Sequence, residues 1–241
     1  MKNISVRRVV VRSEPRALAR VFFAFMLWPV LLQAQVAKEA NTTYQTEQGR
    51  AGIAAGLDGP DRDSRQKPKE LIVALGITPG MTVADLGTGV GYMLPFLSAA
   101  TGPKGAVIAE DIFPDYLDKA RAKAEKTGLL NVKFVQGKED DPKLPKGVDL
   151  VLILDVYHHF DYPDKMLASI AESLNAGGRV AIVDYYKRKG AMGGKDSARA
   201  MTHIRLDEAD VVKEIESFGF KVVSSAPFLP GVQYLAIFAK Q

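Results

Sequence analysis

From about residue 65 onward, short apolar runs alternate with stretches whose apolar residues recur at helical spacing. The runs at 82–86, 106–110, 132–136, 150–154 and 179–184 predict strands. Residues 150–154 (Leu-Val-Leu-Ile-Leu) are continuously apolar, the pattern of a strand covered on both faces. Between the runs, helices are predicted over 69–75, 92–100, 115–127, 163–174 and 208–218; Pro114 suits a first helical turn and Gly219 a helix end. Residues 221–225 and 234–239 alternate in polarity and flank Pro230-Gly231, which predicts a terminal hairpin. Alternating strands and helices imply an α/β fold with a parallel sheet covered on both faces, to which the hairpin adds one antiparallel strand. Residues 35–64 are polar and glycine-rich without a clear period, which suggests a linker or a lid.

The length of 241 residues suits one well-buried domain, here placed at 65–241. Residues 1–34 stand apart. Six basic residues precede a dozen apolar ones at 21–32, and Gln33-Ala34 follows, the layout of a secretory signal peptide cleaved after Ala34. The apolar run is too short for a bilayer span of about 20 residues, so no stable membrane span is expected in the mature chain. Export to the periplasm or medium is the expectation. The segment also distorts the charge balance. It carries +5 of a chain total of +4, which leaves residues 35–241 at −1. A near-neutral body exerts no general pull on nucleic acid, so no nucleic-acid partner is expected. The absence of cysteine excludes disulfides, thiolate metal sites and a cysteine nucleophile.

The chemistry concentrates after the first strand, in Asp85-x-Gly87-x-Gly89-x-Gly91. Glycines at a strand-to-helix turn let backbone approach a ligand closely. A dinucleotide turn needs its third glycine at position 92, which is Tyr92, and no P-loop Gly-Lys-Ser/Thr is present. An acid two residues before the first glycine would repel a pyrophosphate but can pair with an ammonium group. S-adenosylmethionine carries that ammonium, a sulfonium and no phosphate, so the loop favours it over NAD. Glu110-Asp111, at the end of the second strand, suits hydrogen bonding to ribose hydroxyls.

With these motifs the chain resembles the class I S-adenosylmethionine-dependent methyltransferases from about residue 66 to its end. The resemblance rests on Val83–Gly91, on residues 107–112 followed by Pro114, on 132–137, on 149–155, and on Leu174-Asn175-Ala176-Gly177-Gly178-Arg179-Val180. It is most similar to a bacterial group, often with a signal sequence, that carries Gln-Lys-Pro before the first strand and Tyr-His-His-Phe after the fourth. The resemblance implies a Rossmann-like three-layer sandwich with a mostly parallel seven-stranded sheet of order 3-2-1-4-5-7-6, its last strand antiparallel. It implies S-adenosyl-L-methionine as methyl donor. Asp85 and the backbone of Gly87, Thr88, Gly89 and Gly91 would hold the methionine part, Asp111 (less so Glu110) the ribose, and Ile112 would pack on adenine. The family's usual acid after the third strand is Lys138 here, so Glu139 or Asp140 would substitute at the adenine.

Asp155 and Tyr157, after the fourth strand, would lie beside the cofactor and face the acceptor. Ligands of open parallel sheets bind outside the carboxyl ends of the strands. His158 and His159 follow the fourth strand there, and His203 follows the fifth across a basic, glycine-rich loop. Histidine suits a general base near neutral pH, so His158, Tyr157 and His203 are the candidate catalytic residues. The competing roles are packing at a corner for the histidine pair and an outer helix face for His203. No ligand spacing supports a metal, and none is expected. The chain lacks Asp/Asn-Pro-Pro-Tyr after the fourth strand, reading Asp155-Val156-Tyr157-His158. This points away from nitrogen of a base or amide and toward a small molecule with an oxygen, carbon or sulfur acceptor. The alternative is an exported, non-catalytic binding module for S-adenosylmethionine or S-adenosylhomocysteine.

Overall fold

The structure, a computed structural model, describes residues 37–241. The signal-peptide segment lies outside the described residues. Seven strands, β1 (Thr82–Leu86), β2 (Ala106–Asp111), β3 (Val132–Gln136), β4 (Val148–Leu154), β5 (Leu174–Tyr185), β6 (Phe220–Leu229) and β7 (Gln233–Lys240), form one sheet. Its order is β3-β2-β1-β4-β5-β7-β6. β1 to β5 pair in parallel, and β7 runs antiparallel between β5 and β6. The helices are α1 (Glu47–Leu57), α2 (Arg62–Gln66), α3 (Pro68–Leu75), α4 (Leu94–Thr101), α5 (Pro114–Lys126), α6 (Pro163–Ser173), α7 (Arg199–His203) and α8 (Glu208–Ser217). Among the described residues no helix is long and apolar enough to cross a membrane.

The period-2 alternation of the strands divides the core. Val83, Val107, Leu150, Leu152 and Ala181 point to one face and pack with Leu71 of α3, Leu94 of α4 and Ala120 of α5. Their neighbours Ala84, Ile108, Val151, Ile153 and Val180 point to the other face and pack with Leu167 of α6 and Ile215 of α8. Both faces are covered, so β4 is apolar at every position from 150 to 154, as its sequence suggested. The order reverses between β1 and β4, and the crevice at the carboxyl ends of the strands opens there.

Two boundaries differ from the sequence pattern. Leu174, expected to end α6, already has extended backbone (φ −70°, ψ 138°) and starts β5 by pairing with Val148. The register then shifts before Leu150 pairs with Arg179. The second difference is larger. Residues 42–66, which take in most of the 35–64 stretch expected as linker or lid, form a 3-10 turn (Thr42–Gln45), α1 and α2. A free linker is therefore the wrong description. Thr46 caps α1, its side chain accepting from the Gly49 N–H at 3.1 Å.

Candidate functional site

β1 delivers a fully buried Asp85 to the loop, and the three loop glycines take φ values of +71°, +56° and +81°. L-residues rarely adopt these values, which is why glycine alternates here. Each glycine has a different neighbour. A Cβ on Gly87 would lie 2.6 Å from Val156 Cγ2, so its absence admits Val156 against the loop. A Cβ on Gly91 would meet Leu94 Cδ1 at 2.9 Å and the backbone of Ala120 in α5 at 3.1 Å. Gly91 therefore serves the turn and the seating of α5; it does not line the pocket, contrary to the sequence expectation. Gly87, Thr88 and Gly89 do line it.

Of the acids beneath the loop, Glu110 and Asp111 line the pocket, while Asp85 is buried and, contrary to the sequence expectation, does not line it. Asp85 Oδ2 accepts from Thr88 Oγ1 at 2.7 Å. Asp111 accepts from the Gly89 N–H at 2.9 Å and from the Phe113 N–H at 3.0 Å. Glu110 accepts from the Gly87 N–H at 3.2 Å through Oε2, while its Oε1 is buried against Gly137 with no hydrogen-bond partner. Burial pushes the carboxyls of Asp85 and Asp111 up to about 6. Burial first, then the charge of Asp111, holds Glu110 well above the usual carboxylate range. No ion pair engages these three acids among the described residues. A cationic, phosphate-free ligand fits these acids, and S-adenosylmethionine satisfies both conditions.

Ile112 and Glu139, expected to flank the adenine, line the pocket. Asp140 does not. It forms a pair with Lys165 at 3.2 Å on the outer surface, because a bridge between Lys138 and Asp141 tightens the turn and directs it outward. Of the two acids expected to substitute at the adenine, Glu139 therefore lines this pocket, and Asp140 lines an adjoining cavity with Ile112 and Glu139.

The other wall comes from the segment expected to be a linker. Tyr44 stacks on Phe113 with centroids 5.9 Å apart, and Leu57 of α1 sits over Gly89. Arg50 holds Asp115 at 2.9 Å through its Nε, and Tyr116 donates to the Arg50 carbonyl at 3.0 Å. Arg62 lies 4.0 Å over the Tyr92 ring, whose hydroxyl donates to Asp63 at 2.9 Å. Tyr92, the residue that breaks the dinucleotide spacing, thus docks α2 onto the loop. Asn41, Tyr44, Gln45 and Arg62 all line the pocket. Sequence reasoning missed them; the aromatic Tyr44 and the cation Arg62 in an otherwise polar stretch were the available signal.

Asp155, expected to face the acceptor, lines the pocket just after β4 with φ +57°. Its carboxyl is pushed up to about 7 by burial, with the Asp184 charge adding to it, and it accepts from Gln233 Nε2. Tyr157 does not face the acceptor. The chain turns into a 3-10 helix (Tyr157–His159) that sends the ring into the core, where its hydroxyl donates to Glu214 of α8 at 2.6 Å. Its assignment as a catalytic residue is corrected to a structural one. His158 is buried, with Nδ1 2.7 Å from Asp184 Oδ1. His159, not His158, lines the pocket, together with Phe160 and Asp161. His203 lies on α7 with its ring centroid 5.2 Å from that of His158 and 5.3 Å from that of His159. The fold thus gathers all three histidines, placing His203 inward where an outer helix face was the competing expectation. Asp161 was missed: its Oδ2 accepts from Asn41 Nδ2 at 3.3 Å, and its Oδ1 is buried without a partner.

A family model described as a methyltransferase domain matches residues 77–218. Among solved structures the chain is similar to an S-adenosylmethionine-dependent methyltransferase from Aquifex aeolicus, with 28% identity, TM-score 0.69, and coverage of 78% of this chain and 96% of the other. It is 32% identical over 114 residues to the ubiquinone/menaquinone biosynthesis C-methyltransferase UbiE of Vibrio vulnificus, covering 46% of this chain and 44% of the relative. It is 33% identical over 133 residues to an arsenite methyltransferase of Halobacterium salinarum, covering 55% of this chain and 34% of the relative. The chain spans less than half the length of these two curated relatives. A matching sheet order, a glycine loop over a wall of acids and a family match across more than half of the sequence lead to one conclusion: the chain belongs to the S-adenosylmethionine-dependent methyltransferase family.

Proposed function

We propose that the chain transfers the methyl group of S-adenosylmethionine to a small-molecule acceptor held between the 41–62 segment and residues 155–161. The observation that carries the reading is one pocket lined by the buried acids Glu110 and Asp111 beneath the glycine loop and by the polar set Asp155, His159 and Asp161. The relatives named above, a quinone-pathway C-methyltransferase and an arsenite methyltransferase, support a small acceptor. When bound, S-adenosylmethionine supplies a methyl carbon already activated by its sulfonium. Asp85 orients the amino acid part, Asp111 accepts from the ribose, and Ile112 flanks the base. Tyr44 and Leu57 exclude water from above. The chain's remaining task is alignment of the acceptor, to which Asp161 offers an unsatisfied oxygen. An acceptor that must lose a proton finds neutral imidazole nearby, since burial holds His159 well below and His203 at about 4, against an ordinary value of 6.5.

Calorimetry with S-adenosylmethionine across pH tests the cofactor site. Asp85 must ionise to attract the ammonium group and Asp111 to accept fully from the ribose hydroxyls, so affinity is expected to fall by up to roughly tenfold per group between pH 7 and pH 5. The empty protein responds in the opposite sense. These carboxyls sit above their unfolded values, so their contribution to stability is present at low pH and is lost as pH rises through about 6. Acidification from pH 7 to 5 therefore favours the empty fold while shrinking the thermal shift given by ligand. No heat with S-adenosylmethionine at neutral pH sinks the reading. Tight binding with no transfer to any of a broad acceptor panel favours the binding-module alternative, which export of the chain away from the cytoplasmic cofactor supply would suit.

We also infer export. Cleavage after Ala34 would leave every pocket residue, Asn41 onward, in the mature chain. Mass spectrometry of the protein from its native host is expected to find an amino terminus at Gln35; an intact Met1 overturns export.

A further inference from the structure

We propose that His158, His159 and His203 form a binding site for a divalent transition-metal ion of the zinc class at the acceptor end of the pocket. One nitrogen of each histidine lies within 4.8 Å of the others. The rings converge without stacking, at interplanar angles of 42°, 60° and 81°. A tetrahedral ion with bonds of about 2.0–2.1 Å sets its ligand nitrogens roughly 3.4 Å apart, so small side-chain rotations close the site.

The surroundings prepare two of the three rings for coordination. His158 Nδ1 faces Asp184 Oδ1 at 2.7 Å, and Asp184 is itself fixed by the His158 and Tyr185 backbone N–H groups at 3.0 and 2.8 Å. His159 Nδ1 faces Asn41 Oδ1 at 2.6 Å, while Asn41 Nδ2 donates to the His159 carbonyl at 2.9 Å. An oxygen acceptor at Nδ1 selects the Nδ1–H tautomer and leaves the Nε2 lone pair for a metal. A carboxylate or amide behind a histidine is the usual outer shell of such sites, and it orients the ring as well as raising its basicity. Buried Asp184, against His158, offsets part of the charge of the ion.

Three imidazoles without a thiolate suit zinc, nickel, copper or ferrous iron better than magnesium or calcium. Three protein ligands leave a fourth position open, the composition of a catalytic and not a structural zinc site. His159 also lines the methyl-transfer pocket. In combination with the proposed function, this names the acceptor class: a small molecule whose nucleophilic oxygen or sulfur ligates the ion. Coordination lowers the pKa of such a hydroxyl or thiol. Its proton leaves to solvent, the new bond to the methyl carbon forms, and the bond to sulfur breaks, with sulfur keeping the electron pair.

The test uses untagged full-length protein. Titration with Co²⁺ followed by visible absorption, beside elemental analysis for zinc, is expected to show one ion per chain. His203→Ala should weaken Co²⁺ binding by more than a hundredfold. Asp184→Asn, which touches no ion, should weaken it by about ten- to a hundredfold. Affinity for S-adenosylhomocysteine should stay within about twofold in His203→Ala, which serves as the fold check. If His203→Ala fails that check, His203→Asn takes its place. Absence of Co²⁺ uptake by the wild type, or uptake unchanged in the folded His203 variant, overturns the site. Cofactor binding without metal uptake defeats this proposal alone. Metal uptake without cofactor binding defeats methyl transfer and leaves the site standing.

Discussion

Gly87→Val is expected to remove cofactor binding and lower the thermal midpoint by about 4–20 °C. The Gly87 backbone holds φ +71°, and a side chain there carries strain of about 1–2 kcal/mol. The new Cβ would also lie 2.6 and 2.7 Å from the two methyl groups of Val156. Rotating Val156 gives only partial relief, because its own Cβ is 3.2 Å away. Overpacking of this kind costs about 1–3 kcal/mol, so the two effects together reach roughly 2–5 kcal/mol. For a domain of this size each kcal/mol moves the midpoint about 2–4 °C. Gly89→Ala is the internal comparison. Its Cβ would meet only Leu57 Cδ1 at 3.2 Å, the end of a flexible side chain, so the strain of φ +56° dominates and the loss is smaller. Thermal melts and calorimetry with S-adenosylhomocysteine measure both. A Gly87→Val protein that melts with the wild type and binds ligand normally would show that the loop does not press on Val156.

Glu214→Ala should be as damaging to the fold and nearly silent at the cofactor site. Glu214 accepts from Tyr157 Oη at 2.6 Å and from Arg205 Nη1 at 2.8 Å, with Arg205 Nη2 closing the bidentate pair. The side chains of Arg205 and Glu214 are only 1% and 11% exposed. Removing the carboxylate takes the bidentate partner from a buried guanidinium, a loss of about 3–5 kcal/mol. The midpoint should drop by roughly 6–20 °C. Tyr157→Phe removes one of the three bonds and should lose about 1 kcal/mol. At a temperature where both variants are folded, S-adenosylhomocysteine affinity and turnover per folded molecule should match the wild type. A turnover lost in Tyr157→Phe without loss of stability would return Tyr157 to the active site and contradict its burial.

Tyr157 illustrates where sequence reasoning stops. Its position after β4 is the position from which acceptor-facing residues project, and one 3-10 turn redirects it into the core. Asp140 and Gly91 fail for the same reason. Each has the right spacing, and a local turn or a packed helix decides which way it points. Asp111 and the backbone from Gly87 to Gly89 do line the pocket, because a strand end and a glycine turn set direction as well as position.

By itself the sequence determined the strand pattern, the doubly covered sheet, the loop and its acids, and hence the cofactor. These depend on periodic burial and on short-range turn chemistry, which neighbouring residues encode. The tertiary structure alone decided the pocket's second wall and the acceptor end. Most of α1 is solvent-facing, with Ala54 its only buried residue, so the helix carries little apolar period. It is held by Arg50–Asp115, Tyr44–Phe113 and Leu57 over Gly89, contacts made across long stretches of chain. His203 meets His158 and His159 from more than forty residues away, and Asn41 reaches His159 across 118. Such convergence follows from how helices seat on a finished sheet, and no local pattern specifies it.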